Sequence, residues 1–258
     1  MIKGVSRLAV MGVALLGMAT VSAANVAHAA LLTWDFSGGS NSTTGAYGNT
    51  RTFVANDGVT TLTATAWGRT VGSSNTLFES AYLGHYSAGL GVTDRDENGS
   101  NASHTLDNVG RLDVIAFYFN SVVEPVSAVL RAFSASGVTG DPDSDISIWI
   151  GNVSSMPNLT GLTIANLDSL FGPHIDNTGP QGNSRTANFG DGSTGNFMLI
   201  SARVSELLSG TGEDLIKIKG LGAKSVQVPE PGSIALFAMG LVVLGAVVRR
   251  RRTNPALS

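Results

Sequence analysis

The stretch LDVIAFYFN, Leu112 to Asn120, decides the fold class. Ile115, Phe117 and Phe119 recur at every second position, the period of a strand whose successive side chains point to opposite faces. The same alternation appears in Thr60 to Trp67, where threonines share one face and Leu62, Ala64 and Ala66 the other. It recurs around three isoleucines in Asp145 to Ile150. In Leu215 to Lys219 it places Ile216 and Ile218 inward and Lys217 and Lys219 outward. Leu32 to Phe36, Val126 to Phe133 and Phe197 to Val204 are further strand candidates. Turn formers separate these segments: Asn56-Asp57-Gly58, Asn98-Gly99, Asp141-Pro142 and Asp191-Gly192. Helical signals are confined to Ile164 to Phe171 and Val204 to Leu208. The Gly-, Ser- and Asn-rich stretch from Gly172 to Gly195 reads as a long loop or an insertion between strands. Many short strands with polar turns predict an all-β fold, an antiparallel β-sandwich or jelly-roll-like ectodomain.

The 258-residue chain is 43% hydrophobic, and much of that lies at its two ends. Between Ala30 and Val228 there are 10 basic and 18 acidic residues, a net charge of −8. Nucleic-acid binding needs a basic face that displaces counterions from phosphates, so this balance argues against it. The absence of cysteine excludes disulfides, thiolate metal sites and a cysteine nucleophile.

The N-terminus has the three parts of a signal peptide over residues 1–29. Lys3 and Arg7 supply the basic region, Leu8 to Val21 the apolar run, and Ala27-His28-Ala29 the small-residue cleavage site. Signal peptidase is expected to cut between Ala29 and Ala30, leaving a domain over residues 30–221. The C-terminus reads VPEPGSIALFAMGLVVLGAVVRRRRTNPALS. A linker over residues 222–232 carries Pro229, Glu230 and Pro231. Residues 233–248 lack charge and would make a transmembrane helix about 24 Å long, short beside a hydrocarbon core of about 30 Å. Arg249, Arg250, Arg251 and Arg252 stop translocation and hold residues 249–258 in the cytoplasm. The two ends agree on one topology, with the middle of the chain exported.

The Pro-Glu-Pro turn, short apolar helix and arginine cluster resemble the PEP-CTERM sorting signal, a tail also catalogued as an ice-binding protein C-terminal domain. The resemblance implies that an exosortase recognises Pro229, Glu230 and Pro231 and processes the chain nearby. It implies an inner-membrane intermediate, followed by release to the cell surface or extracellular matrix of an exopolysaccharide-producing Gram-negative bacterium. Within the ectodomain, Leu31 to Phe36, Gly89-Leu90-Gly91-Val92, His104 to Asn108 and Asp143 to Trp149 resemble a class of exosortase-dependent surface proteins. That resemblance implies surface exposure and supplies no catalytic residue.

Asp94, Asp96 and Asn98 have the alternate spacing of a calcium loop, but Thr105 stands where an EF-hand needs a bidentate glutamate. Asp141, Asp143 and Asp145 crowd three carboxylates into five residues, a repulsion that Ca²⁺ or water would relieve. Both sets read equally as solvated turns. No zinc spacing and no nucleophile elbow occurs. Trp34, Trp67, Trp149 and the tyrosines offer faces for sugars, although strand tryptophans are more often core. The reading is a non-catalytic, structural or adhesive component of the envelope or exopolysaccharide. Its partners would be signal peptidase, exosortase, the membrane before processing, and envelope glycans. The alternatives are a secreted polysaccharide hydrolase and a carbohydrate-binding module.

Overall fold

The computed structural model describes residues 29–41, 45–70, 77–97, 104–134, 143–180, 182, 184–190, 192–209, 213–226, 240–241 and 244. Thirteen strands follow in order: β1 (Leu31–Asp35), β2 (Thr50–Val54), β3 (Thr61–Thr70), β4 (Glu79–Ser80), β5 (Tyr82–Tyr86), β6 (Gly89–Thr93), β7 (Leu106–Asp107), β8 (Arg111–Ala132), β9 (Ile146–Gly151), β10 (Ile175–Asn177), β11 (Ser184–Asn188), β12 (Gly195–Ala202) and β13 (Leu215–Ser225). Helix α1 (Ile164–Phe171) lies between β9 and β10, and α2 (Val204–Ser209) between β12 and β13. All strand pairs are antiparallel, as the alternation predicts.

The two segments Leu112 to Asn120 and Val126 to Phe133 prove to be halves of one strand. The first half of β8 pairs with β3 on one side and β12 on the other. The second half pairs with β11 and β13. The switch falls at the exposed Asn120-Ser121-Val122 and at Pro125, which sits opposite Ala223 where the β13 register shifts. A proline has no N–H to give the ladder and is tolerated at such an irregularity. Two sheets therefore share β8. One holds β2, β3, β8, β12, β9 and β10, with β4 at the end of β3. The other holds β11, β8 and β13, whose far edge takes β1, β6 and β7 in turn, with β5 paired outside β6.

The main core lies between these sheets, where Trp34, Phe36, Leu62, Phe117, Phe119, Leu130, Ile200 and Ile218 meet. Phe36 stacks on Phe117 at 5.9 Å between ring centroids. The outward face of the first sheet is not solvated. Leu112, Val114 and Ala116 of β8 pack with Trp149, Phe197 and Leu199 beneath Leu159 and Leu167 of α1 and its approach. Thr163 caps that helix by accepting from the Asn166 amide.

The expected loop from Gly172 to Gly195 contains β10 and β11 instead, whose polar sequences lack an apolar alternation because both lie largely exposed at sheet edges. The expected domain end at Leu221 also moves. Gly222 to Ser225 remain in β13, where Gly222 pairs with Thr33 and Ser127. Ala30 follows the expected cleavage point and is tied to the end of the same strand. Its amide donates to Ser225 Oγ at 2.8 Å and its carbonyl accepts from the Ser225 amide at 2.9 Å. The first and last residues of the sandwich thus lie side by side. Residues 1–28 and almost all of the expected transmembrane helix fall outside the described residues. Gly240, Leu241 and Leu244 are helical and exposed, and no helix among the described residues is long and apolar enough to cross a membrane.

Truncating Phe117, fully buried between the sheets, to alanine should cost about 3–5 kcal/mol of stability in urea unfolding. Val129→Ala on the same strand, at a side chain 37% exposed, should change it by no more than about 0.5 kcal/mol.

Candidate functional site

Two polar centres sit at the end of the sandwich opposite the joined termini. Their position follows from β8 folding back on itself. Strand β7, just upstream of Arg111, pairs with Leu215 and Ile216, while Ile216 also pairs with Ala132. Both ends of β8 therefore return to the start of β13. From Lys217 to Ser225 is eight residues of one strand, about 26 Å.

The first centre is acidic. Asp94 follows β6 and begins a turn closed by its own hydrogen bonds: Oδ1 accepts from the Asp96 amide, and Glu97 Oε2 accepts from the Asp94 amide at 3.0 Å. Arg111 reaches this turn from β8, with Nε 2.8 Å from Asp94 Oδ2 and Nη1 3.4 Å from Glu97 Oε1. Asp107 and Asp113 add two buried carboxyls. Asp107 accepts from the Val109 amide and the Thr105 hydroxyl. Asp113 is 0% exposed, and neither of its oxygens has a hydrogen-bond partner. Loss of water raises the Asp94 carboxyl and lifts Asp107 and Asp113 well above the usual carboxylate range; it pushes Glu97 to about 7. Four carboxyls around one guanidinium are shifted toward their neutral forms, because ionising all of them in a dry interior is too costly.

The second centre corrects the expectation that Lys217 points to solvent. Lys217 is 2% exposed. Its Nζ lies 3.3 Å from His104 Nδ1, 4.8 Å from the Tyr86 ring centroid and 4.5 Å from that of Phe133. Among the described residues no carboxylate pairs with it. Burial and the nearby Arg131 lower its ammonium to about 8, and burial with Lys217 lowers His104 to about 4. His104 is thus the neutral acceptor for the ammonium. These groups line a cavity of about 400 Å³ with Gly39, Ser40, Asn41, Ser87 and Ala88. A second cavity of about 400 Å³ reaches Phe133 past Arg131 and Lys219. The glycines of Gly89-Leu90-Gly91-Val92 make this packing feasible. A Cβ on Gly91 would stand 2.0 Å from the His104 carbonyl oxygen, and Gly89 has φ +127° with the Ile218 carbonyl pressed against it.

The remaining sequence candidates fall elsewhere. Asp143 forms an isolated bridge with Asp214. Asp145 accepts from the Gly179 amide and from Arg203, pinning strands together. Asn108 completes that network through reciprocal bonds with Asp214 at 2.8 and 2.9 Å. Of the two separate calcium candidates, Asp94 and Asp96 belong to the acidic turn, and Asp143 and Asp145 to the network around Asp214. Asn98 and Asp141 lie outside the described residues. Among the described residues no three histidine, aspartate or glutamate side chains are arranged to hold a metal. Trp34, Trp67 and Trp149 are buried core residues and form no sugar platform. Sequence reasoning missed Lys217, Phe133, Arg111 and Asp113; the glycine pair at 89 and 91 was the local trace of the crowded site.

Pro229, Glu230, Pro231 and the four arginines at 249–252 also lie outside the described residues, but they are identified from sequence. Fold and tail together define an exported all-β protein with a removable address. Residues 227–252 match the PEP-CTERM protein-sorting motif, and on that motif the chain is an exosortase-sorted protein exported to the cell surface. No curated protein and no solved structure matches the chain.

The acidic centre has a pH signature. Glu97 binds its proton more tightly in the fold than in the unfolded chain, so its contribution is full below about 4.5 and is lost as pH rises to about 7. His104, lowered in the fold, changes stability in the opposite sense between about 4 and 6.5. The informative quantity is the difference between wild type and Glu97→Gln. Urea unfolding at pH 4.5 and 7.5 should show the variant gaining on the wild type as pH rises, by on the order of 3 kcal/mol.

Proposed function

We propose that the exported protein is a non-catalytic structural or adhesive component of the envelope or exopolysaccharide matrix, holding glycan at the pole remote from its tail. The observation that carries this reading is the junction between fold and address. Strand β13 ends at Ser225, and the Pro-Glu-Pro turn begins at Pro229 after only three residues. A spacer of about 10–14 Å at full extension keeps the sandwich against the membrane until the tail is cut. The antiparallel β1–β13 pair then directs the Lys217 cavity away from that surface. Signal peptidase first frees Ala30 beside Ser225, and exosortase then acts on the adjoining tail.

A non-catalytic role is supported by the state of the acids. The carboxyls of the acidic centre are buried, protonated or held by Arg111, and none lines the two cavities around Phe133. A glycoside hydrolase needs two carboxyls facing substrate across a cleft.

Two measurements test the proposal. Mass spectrometry of the C-terminus should find the chain ending near Pro229 in surface or matrix fractions of cells with exosortase, and intact through Arg252 in membranes of cells without it. Intact chain in the surface fraction would contradict processing. The purified exported form should sediment with isolated exopolysaccharide and leave its chain length unchanged on size-exclusion chromatography. Shortened polymer would establish the hydrolase instead, and no co-sedimentation would overturn the adhesive role.

A further inference from the structure

The cavity at Lys217 has a charge without a counterion among the described residues. The ectodomain carries 18 acidic residues against 10 basic ones, so an ammonium without a carboxylate partner stands out from the surrounding composition. Burying an unpaired charge is costly, and such groups normally have a partner in the functioning molecule. Lys217 is held by His104 Nδ1 and by the faces of Tyr86 and Phe133, which stabilise a cation without neutralising it. Arg131 extends from the neighbouring position of β8, its guanidinium 5.5 Å from the Phe133 centroid, and Lys219 lines the adjoining cavity. Three of the ten ectodomain cations thus surround one phenylalanine. Neither cavity is lined by an acid among the described residues. The walls combine aromatic carbon from Tyr86 and Phe133 with the amide of Asn41 and the hydroxyls of Ser40 and Ser87.

From this arrangement we infer that the Lys217 cavity binds a carboxylate-bearing sugar, a uronic-acid residue of an acidic polysaccharide. The carboxylate meets the Lys217 ammonium, the ring's C–H face lies on Phe133, and its hydroxyls reach Asn41, Ser40 and Ser87. Arg131 and Lys219 take the next acidic residue along the polymer. The inference rests on the glycan-holding role for the bearer of the carboxylate; the demand for an anion comes from Lys217 itself. Charged and polar groups facing the ammonium are His104, neutral at pH 7, Tyr86 and Arg131. Binding is expected to weaken as pH rises past about 8, where Lys217 loses its proton.

The test is calorimetric titration of the exported protein with a hexameric oligouronate, the same oligomer with its carboxyls reduced to alcohols, and acetate. The oligouronate should bind, the reduced oligomer at least tenfold more weakly, and acetate more weakly still. Lys217→Met, close in volume and free of the buried charge, should fold and lose at least tenfold in affinity. Phe133→Leu supplies a second, independent loss. The ring resonances of Tyr86 and Phe133, read by NMR, should shift when oligouronate is added to the wild type, a readout that needs no variant to fold. Equal binding of both oligomers, or oligouronate binding that leaves the Tyr86 and Phe133 ring resonances unchanged, would overturn the site while leaving the glycan-holding role standing. Acetate binding as tightly as the hexamer would overturn the sugar assignment. Failure of both oligomers to bind, in a protein that still sediments with native exopolysaccharide, would overturn the uronate site alone; failure of all glycans would overturn both.

Discussion

Strand β8 is the constraint on which the rest of the structure depends. It runs through both sheets, so each side chain on its inner face packs against the opposite half of the same strand's sheet partners. Its first half is buried on both faces, with Phe117 and Phe119 toward the other sheet and Val114 and Ala116 toward α1. No rearrangement of one sheet can leave the other untouched. Because the strand folds back at Asn120 to Pro125, its two ends meet at the start of β13. There Arg111 and Asp113 build one polar centre, and Arg131 and the adjacent Phe133 border the other.

The same folding back separates the molecule into two poles. At one pole Ala30 and Ser225 share two hydrogen bonds, bringing the expected signal-cleavage point and the exit toward the sorting tail together. The expected signal peptide and the sorting tail therefore adjoin one end of the sandwich. The buried charges collect at the other end. Their chemistry differs in a way that burial explains. Removing water raises carboxyls and lowers ammonium groups, so the acidic centre keeps protons while Lys217 gives its proton up more readily. The first centre sets its carboxyls against Arg111 of the same chain. The second holds its cation with His104 and two aromatic rings.

Much of the fold was legible in the sequence because side-chain alternation reports which residues share a face. Ile115, Phe117 and Phe119, and Ile216 and Ile218, lie in the core as their spacing predicts. Alternation does not report what covers the other face. Lys217 was assigned to solvent for that reason, and Leu112, Val114 and Ala116 were left without a partner until α1 was seen to cover them. The break at Pro125 resembled a strand end because a proline ordinarily ends a ladder; the register shift opposite it permits continuation. The acidic centre was illegible for a different reason. Asp94, Glu97, Asp107 and Asp113 are brought together by the pairing of β6 and β7 with β13, which no local pattern records. The sorting tail, by contrast, is a linear signal, and residues 227–252 match its motif.

A strand shared by two sheets requires them to lose structure together. Native-state hydrogen exchange across β8 measures this most directly, because it reports the opening free energy of each half separately. The amides of Val114 to Phe119 and those of Ala128 to Ala132 that bond to β11 or β13 should exchange with one common free energy, equal to that of global unfolding. If the second half opened at several kcal/mol less than the first, the sheets would be independent bodies, and β8 would not be the element that holds both centres in place.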